Sequence, residues 1–156
     1  MALPNQPDEE VLVRDMYLSD LDAVMGIEAA SFPTPWSRAA FQSELMENNF
    51  AQYLVLDFHG RVAAYGGMWL ILDEAHVTNV AVHPDFRGSH LGERMMRGLM
   101  ERAKSAGALR MTLEVRRSNT VAQNLYQKLG FIQLGVRRGY YSDPREDAFI
   151  MWKDPL

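Results

Sequence analysis

Along this chain the spacing of hydrophobic positions changes repeatedly, and each change marks an element. Val11-Leu12-Val13-Arg14 opens as a short strand. After Ser19-Asp20, a capping pair, Leu21, Val24, Met25 and Ile27-Glu28 recur three and four apart, which predicts a helix through about Ala30. Phe32-Pro33-Thr34-Pro35-Trp36-Ser37 reads as a rigid loop, and Ser37 caps a second, short helix carrying Ala40, Phe41 and Leu45. Tyr53 to Phe58 and Val62 to Leu72 flank His59-Gly60 as a hairpin, and Ala75 to Val82 is the next strand. Leu91, Met95 and Leu99, with Met96, Met100 and Ala103, give one apolar face to a helix reaching about Ala106, where Gly107 ends it.

The C-terminal part follows the same logic. Leu109, Met111, Leu113 and Val115 alternate with Thr112 and Glu114, so a strand is predicted with the first set facing the core. Ser118-Asn119 caps a helix through Leu129, closed by Gly130; Val121, Leu125 and Leu129 form the stripe expected to serve the core. Phe131 to Val136 and Ala148 to Trp152 make a final pair of strands around a polar loop. The order βααβββαβαββ predicts an α/β fold with a mixed sheet: mostly antiparallel N-terminal strands, then a β-α-β-α-β-β half. The 156 residues read as one domain, with Met1 to Glu10 a loose lead-in.

Composition narrows the function. An apolar content of 47% and a charged content of 23% are those of an ordinary soluble globule. No window approaches ~18 continuous apolar residues and no basic-then-apolar leader opens the chain, so no membrane partner is expected and the location is expected to be cytoplasmic. With 0 cysteines, disulfides, cysteine zinc sites and an acyl-cysteine intermediate are excluded. A net charge of −4 argues against direct, nonspecific nucleic-acid binding and suits a basic acceptor. His76, His83 and His90 fall seven apart but span strand, turn and helix start; they share no face, and no metal is expected.

The candidate chemistry begins where the strand Asn79-Val80-Ala81-Val82 runs through His83-Pro84-Asp85-Phe86 into Arg87-Gly88-Ser89-His90-Leu91-Gly92-Glu93. That order brings exposed backbone N–H groups and a helix N-terminus to one point, where an anionic phosphate can be held. Glu93-Arg94 after the last glycine do not fit the Lys and Ser or Thr of an NTPase P-loop, and the three glycines of a dinucleotide fingerprint are absent. The segment resembles the Arg/Gln-x-x-Gly-x-Gly/Ala loop of the GNAT acetyltransferase superfamily, which holds the pyrophosphate of acetyl-CoA. Arg87 and Gly92 match its first and last positions, while His90 stands at the middle glycine, where ordinary helical geometry is expected.

Two further residues carry open alternatives. Glu114 points away from the apolar set; it is either a base or one half of an ion pair with Arg116 on the same face. Tyr126 shares a helical stripe with Asn119 and Ala122; it is either a packing residue with a satisfied hydroxyl or a phenol, with pKa near ~10, that can protonate a departing thiolate. A main-chain N–H on the Asn79–Val82 strand can hold an acyl carbonyl. An α-amino group near pKa ~8 costs roughly 3 kcal/mol less to deprotonate at neutral pH than a lysine near ~10.4, which favours an N-terminal acceptor.

From about Leu12 to Trp152 the chain resembles the ribosomal-protein-alanine N-acetyltransferases, the RimI-like branch of the GNAT superfamily. The resemblance rests on Phe32-Pro33 with Trp36-Ser37, Asp73-Glu74-Ala75, Asn79-Val80-Ala81-Val82, Leu113-Glu114-Val115-Arg116 with Ser118-Asn119, Leu125-Tyr126 with Leu129-Gly130-Phe131, Tyr140-Tyr141, and Glu146-Asp147-Ala148 ending in Ile150-Met151. It implies the GNAT acyltransferase fold, Glu114 as general base and Tyr126 as general acid. Acetyl-CoA contacts are implied from Val80, Ala81 and Val82, from the Arg87 loop with Gly88, Ser89, His90, Leu91, Gly92 and Glu93, and from Asn119. The acceptor, a protein N-terminus, is implied between the Trp36 loop and Tyr140-Tyr141; the family's acceptor is the N-terminal alanine of small-subunit ribosomal protein eighteen. Thr34-Pro35 lengthens the Trp36 loop beyond the shortest family form, and Trp36 is either a buried anchor or a substrate wall. Acetylation of a small amine, a polyamine or an amino sugar, and a non-catalytic acyl-CoA-binding module are the competing functions.

Overall fold

A computed structural model describes residues 11–156, so the predicted lead-in over residues 1–10 lies outside the described part. Strand β1 (Val11–Asp15) is followed by α1 (Leu21–Ser31), α2 (Arg38–Met46), β2 (Ala51–Phe58), β3 (Arg61–Ile71), β4 (Glu74–Val82), α3 (Leu91–Ser105), β5 (Arg110–Arg116), α4 (Thr120–Lys128), β6 (Ile132–Ser142) and β7 (Arg145–Lys153). One seven-stranded sheet runs in the order β1-β2-β3-β4-β5-β7-β6. All neighbours are antiparallel except β4 and β5, joined in parallel through α3. This is the predicted order and the predicted mixed sheet.

The sheet is covered on both sides. Met95, Met96, Leu99 and Ala103 of α3 meet Leu54, Leu56, Ala64 and Met68 on one face. Leu21, Val24 and Ile27 of α1 and Phe41 of α2 meet Val55 and Tyr65 on the other. Burial from both sides explains why β2 and β3 lose a clean apolar-polar alternation. Among the described residues, no helix is long and apolar enough to cross a membrane, and no group of three or more His, Asp or Glu side chains is arranged to hold a metal.

Several local expectations change. Asp20 stands at the N-cap of α1 as expected, but its side chain makes no capping bond there: it also ends a 3₁₀ turn, Leu18–Asp20, and its carboxylate accepts from Tyr17 N–H and from the Arg14 guanidinium. The polar loop predicted after Val136 is instead strand, because β6 and β7 continue past irregular register at Gly135 and beyond Arg137 to a tight turn at Asp143-Pro144. Aromatic Tyr140 and Tyr141 favour that extension. Leu109 precedes β5 and is 57% exposed, and Val121 on α4 is 81% exposed; Ala122, Leu125 and Tyr126 pack against the core in its place. Ser37 and Asn119 do cap α2 and α4, accepting from Ala40 N–H and Ala122 N–H at 3.1 Å each.

Candidate active site

A parting of two strands makes the site. β4 and β5 pair only at Glu74↔Arg110, Ala75↔Met111 and His76↔Thr112, and then separate. Beyond that point β4 carries a bulge: Val77 faces Met68 and Asn79 faces Gly67, leaving Thr78 as the extra residue. Between the diverging strands lies a cavity of about 740 Å³. Val80 from β4, Glu114 from β5, Tyr126 and Asn119 from α4, and Trp36, Tyr140 and Tyr141 from the two flanking segments all line it. Seven of the residues singled out in the sequence thus meet at one place.

Leu113 and Val115 turn into the core on either side of Glu114, so strand alternation aims its carboxylate at the cavity. The ion pair considered with Arg116 does not form. Arg137 Nε of β6 lies 3.6 Å from Glu114 Oε2, a charge contact too long for a hydrogen bond, while Arg116 binds Glu146. Tyr126 packs its ring against Phe131, with centroids 6.0 Å apart, and burial pushes its phenol up to about 12. Among the described residues its hydroxyl has no side-chain or backbone hydrogen-bond partner, so it is open toward the cavity while the ring packs.

Trp36 is half-buried and also borders the cavity. Its ring packs on Phe41 at 5.3 Å and its backbone N–H donates to Glu28 Oε2 at 2.8 Å. Opposite, Tyr140 and Tyr141 meet edge to face at 5.0 Å.

The Gly88–Glu93 bend lies outside the cavity lining, at the N-terminus of α3. His90 departs from the expected helical geometry: it caps α3 in the left-handed conformation, φ 62° and ψ 20°, directly after Gly88 at φ 82° and Ser89. Phe86 and Leu91 are both locked in the core, so the few residues between them must reverse the chain, and histidine is among the side chains that tolerate this region. Arg94 N–H is the first to bond back, to His90 O, which leaves the N–H groups of Leu91, Gly92 and Glu93 without intrahelical acceptors. Arg87 does not reach forward: its guanidinium donates to Val82 O and Ser31 Oγ, both at 3.2 Å. Ser89 Oγ donates to Phe86 O. Glu93 is held between Lys128 at 2.7 Å and Arg97 at 3.0 Å, and those bonds keep its carboxyl below the usual range. Val82 faces α3 beside Gly92, whereas Ala81 is turned to the opposite face of the sheet among the α1 and α2 side chains.

Sequence reading missed a polar layer beneath the Trp36 wall. Glu28, only 2% exposed, accepts from Trp36 N–H and from the Tyr65 hydroxyl. Glu44 accepts from Tyr53 and Trp69, and Tyr53 also meets Thr78 on the bulge. Asn79 Nδ2 is buried there without a well-formed partner. The available signal was Glu28 itself, a carboxylate standing on an apolar helix stripe.

The acetyltransferase (GNAT) family model matches residues 21–131. An Escherichia coli [ribosomal protein bS18]-alanine N-acetyltransferase is 37% identical over 143 residues, 89% of this chain and 94% of that one. A Bacillus subtilis protein provisionally assigned the same activity is 48% identical over 140 residues, 90% and 93% of the two chains. The crystal structure of the Escherichia coli ribosomal-protein-S18-alanine N-acetyltransferase superposes with a TM-score of 0.85 at 34% identity, covering 93% of this chain and 94% of that one. The chain belongs to the GNAT acetyltransferase family.

Proposed function

We propose that this protein transfers an acetyl group from acetyl-CoA directly to the α-amino group of a protein, with the N-terminal alanine of ribosomal protein bS18 as acceptor. One observation carries the reading: a carboxylate, Glu114, and a phenol with no hydrogen-bond partner among the described residues, Tyr126, face the same cavity from β5 and α4. The relatives named for bS18-alanine acetylation support the choice of acceptor.

The residues present fit the coenzyme. The first-turn amides of α3, set by the reversal at Gly88 and His90, are suited to a diphosphate. Val80 and Asn119 stand along the opening between β4 and β5, suited to the rest of the molecule, and the buried Asn79 amide is a donor without a well-formed acceptor there. When bound, acetyl-CoA supplies an activated thioester. Glu114 takes a proton from the acceptor ammonium, directly or through a water, and Tyr126 gives its proton to the departing sulfur. The Trp36 wall and the Tyr140-Tyr141 wall hold the acceptor chain between them.

Mass spectrometry of a peptide panel with free and blocked N-termini, incubated with acetyl-CoA, tests this. Label on the α-amine of Ala-initiated peptides is expected. Label confined to lysine or to polyamines would move the function to small or side-chain amines. No transfer with intact coenzyme binding would leave a binding module.

A further inference from the structure

The acceptor wall formed by Tyr140 and Tyr141 stands near the tip of the β6–β7 hairpin, beyond an irregularity in its pairing that Gly139 N–H bridges by donating to Asp147 Oδ1 at 2.8 Å. Register between the strands breaks after Arg137 and resumes only at Tyr141↔Glu146 and Ser142↔Arg145. Arg116, at the end of β5, reaches it from outside. Its Nη1 donates to Pro144 O at 3.0 Å and to Glu146 Oε1 at 3.2 Å, and its Nη2 donates to Asp143 O at 3.2 Å. The guanidinium carbon also lies 4.2 Å from the centroid of the Tyr141 ring. Glu146 Oε2 in turn accepts from Ser118 N–H at 2.5 Å, tying the same tip to the turn that starts α4.

We propose that Arg116 is a positioning residue for the acceptor: its planar fork sets the Tyr140-Tyr141 wall at a fixed distance from Glu114, two residues earlier on the same strand. The inference rests on the acceptor reading above and adds to it a specificity determinant. A guanidinium can bond two carbonyls and a carboxylate while stacking on a ring; a lysine ammonium supplies the charge without the plane. One strand therefore delivers both the base and the fastening of the wall that faces it.

The test uses the full chain as wild type, Arg116→Ala and Arg116→Lys. In Arg116→Ala the KM for a free α-amine peptide is expected to rise about tenfold or more, while the KM for acetyl-CoA stays within about twofold. Arg116→Lys should recover only part of that loss. Hydrogen exchange of the amides in the 140–147 segment, read with no substrate present, should accelerate in both variants while the α3 amides stay protected. Unchanged exchange, an unchanged peptide KM, or equal rises in both KM values would each overturn the proposal. Wild type that labels no peptide would overturn the acceptor reading and the wall's role with it; active wild type beside an indistinguishable Arg116→Ala would overturn the role of Arg116 alone.

Discussion

At Tyr126 burial and chemistry pull the same way. A phenol held at about 12 stays protonated across the whole neutral and mildly alkaline range, so it remains able to donate wherever the acceptor amine is neutral. Tyr126→Phe is therefore expected to cut kcat about 10²-fold or more at every pH from 6 to 10, without moving the alkaline limb and without weakening acetyl-CoA. Rate profiles with pH, beside coenzyme titration by calorimetry, check this; equal loss of turnover and affinity would mean that the ring only packs. Glu114 carries the complementary expectation. Glu114→Gln keeps the shape of the side chain and removes its basicity, so turnover should fall about 10²-fold or more while coenzyme binding persists. Arg137, beside that carboxylate, had no sequence signal: it comes from a strand that pairs with β7, two places away from β5 in the sheet.

Elements explain where the chain could be read and where it could not. Helices and strands with strong local rules, such as α3 with its apolar stripe and α4 with Asn119 at its cap, followed from spacing alone. Failures fall where tertiary anchoring overrides local preference. His90 is left-handed because buried Phe86 and Leu91 fix both sides of the bend, and neither constraint is written in the residues between them. A strained histidine there predicts that His90→Gly stabilises the protein by up to ~1 kcal/mol, while β-branched His90→Val destabilises it by about 1–2 kcal/mol. Urea unfolding of the two variants decides it. In the same way, Val121 points to solvent because the angle at which α4 meets the sheet is set by Leu125, Tyr126 and Leu129, an orientation that helical spacing leaves free. Val80, Glu114, Asn119 and Tyr126 were legible because each sits on or caps a regular element, whereas Trp36, Tyr140 and Tyr141 were carried by the family resemblance; the Glu28 and Glu44 layer was not legible, since its partners lie many residues away in sequence.

For the whole molecule, acid stability turns on carboxylates held by arginines. Arg14 on β1 binds Asp20 and Asp57 at once, joining the start of α1 to β2. The Arg14 guanidinium holds the Asp20 carboxyl below its usual range, against an opposing effect of burial and with help from Tyr17 N–H. A depressed carboxyl contributes its stability above the unfolded value and loses it as pH falls through the folded one. Asp20→Asn should thus cost about 1–3 kcal/mol at pH 7, and the gap to wild type should begin to narrow near pH 4 and close only well below it. Denaturant melts at the two pH values measure it.

The short seam between β4 and β5 has a mechanical consequence. Three residue pairs tie the halves of the sheet at that seam, so any molecule spanning the gap acts as a splint between them. Thermal scans should therefore register occupancy before any turnover: free coenzyme A, unable to donate an acetyl group, should still raise the melting temperature in proportion to the logarithm of its concentration. A fragment carrying only the adenosine diphosphate end, too short to bridge both strands, should lift it less than the intact coenzyme at the same concentration.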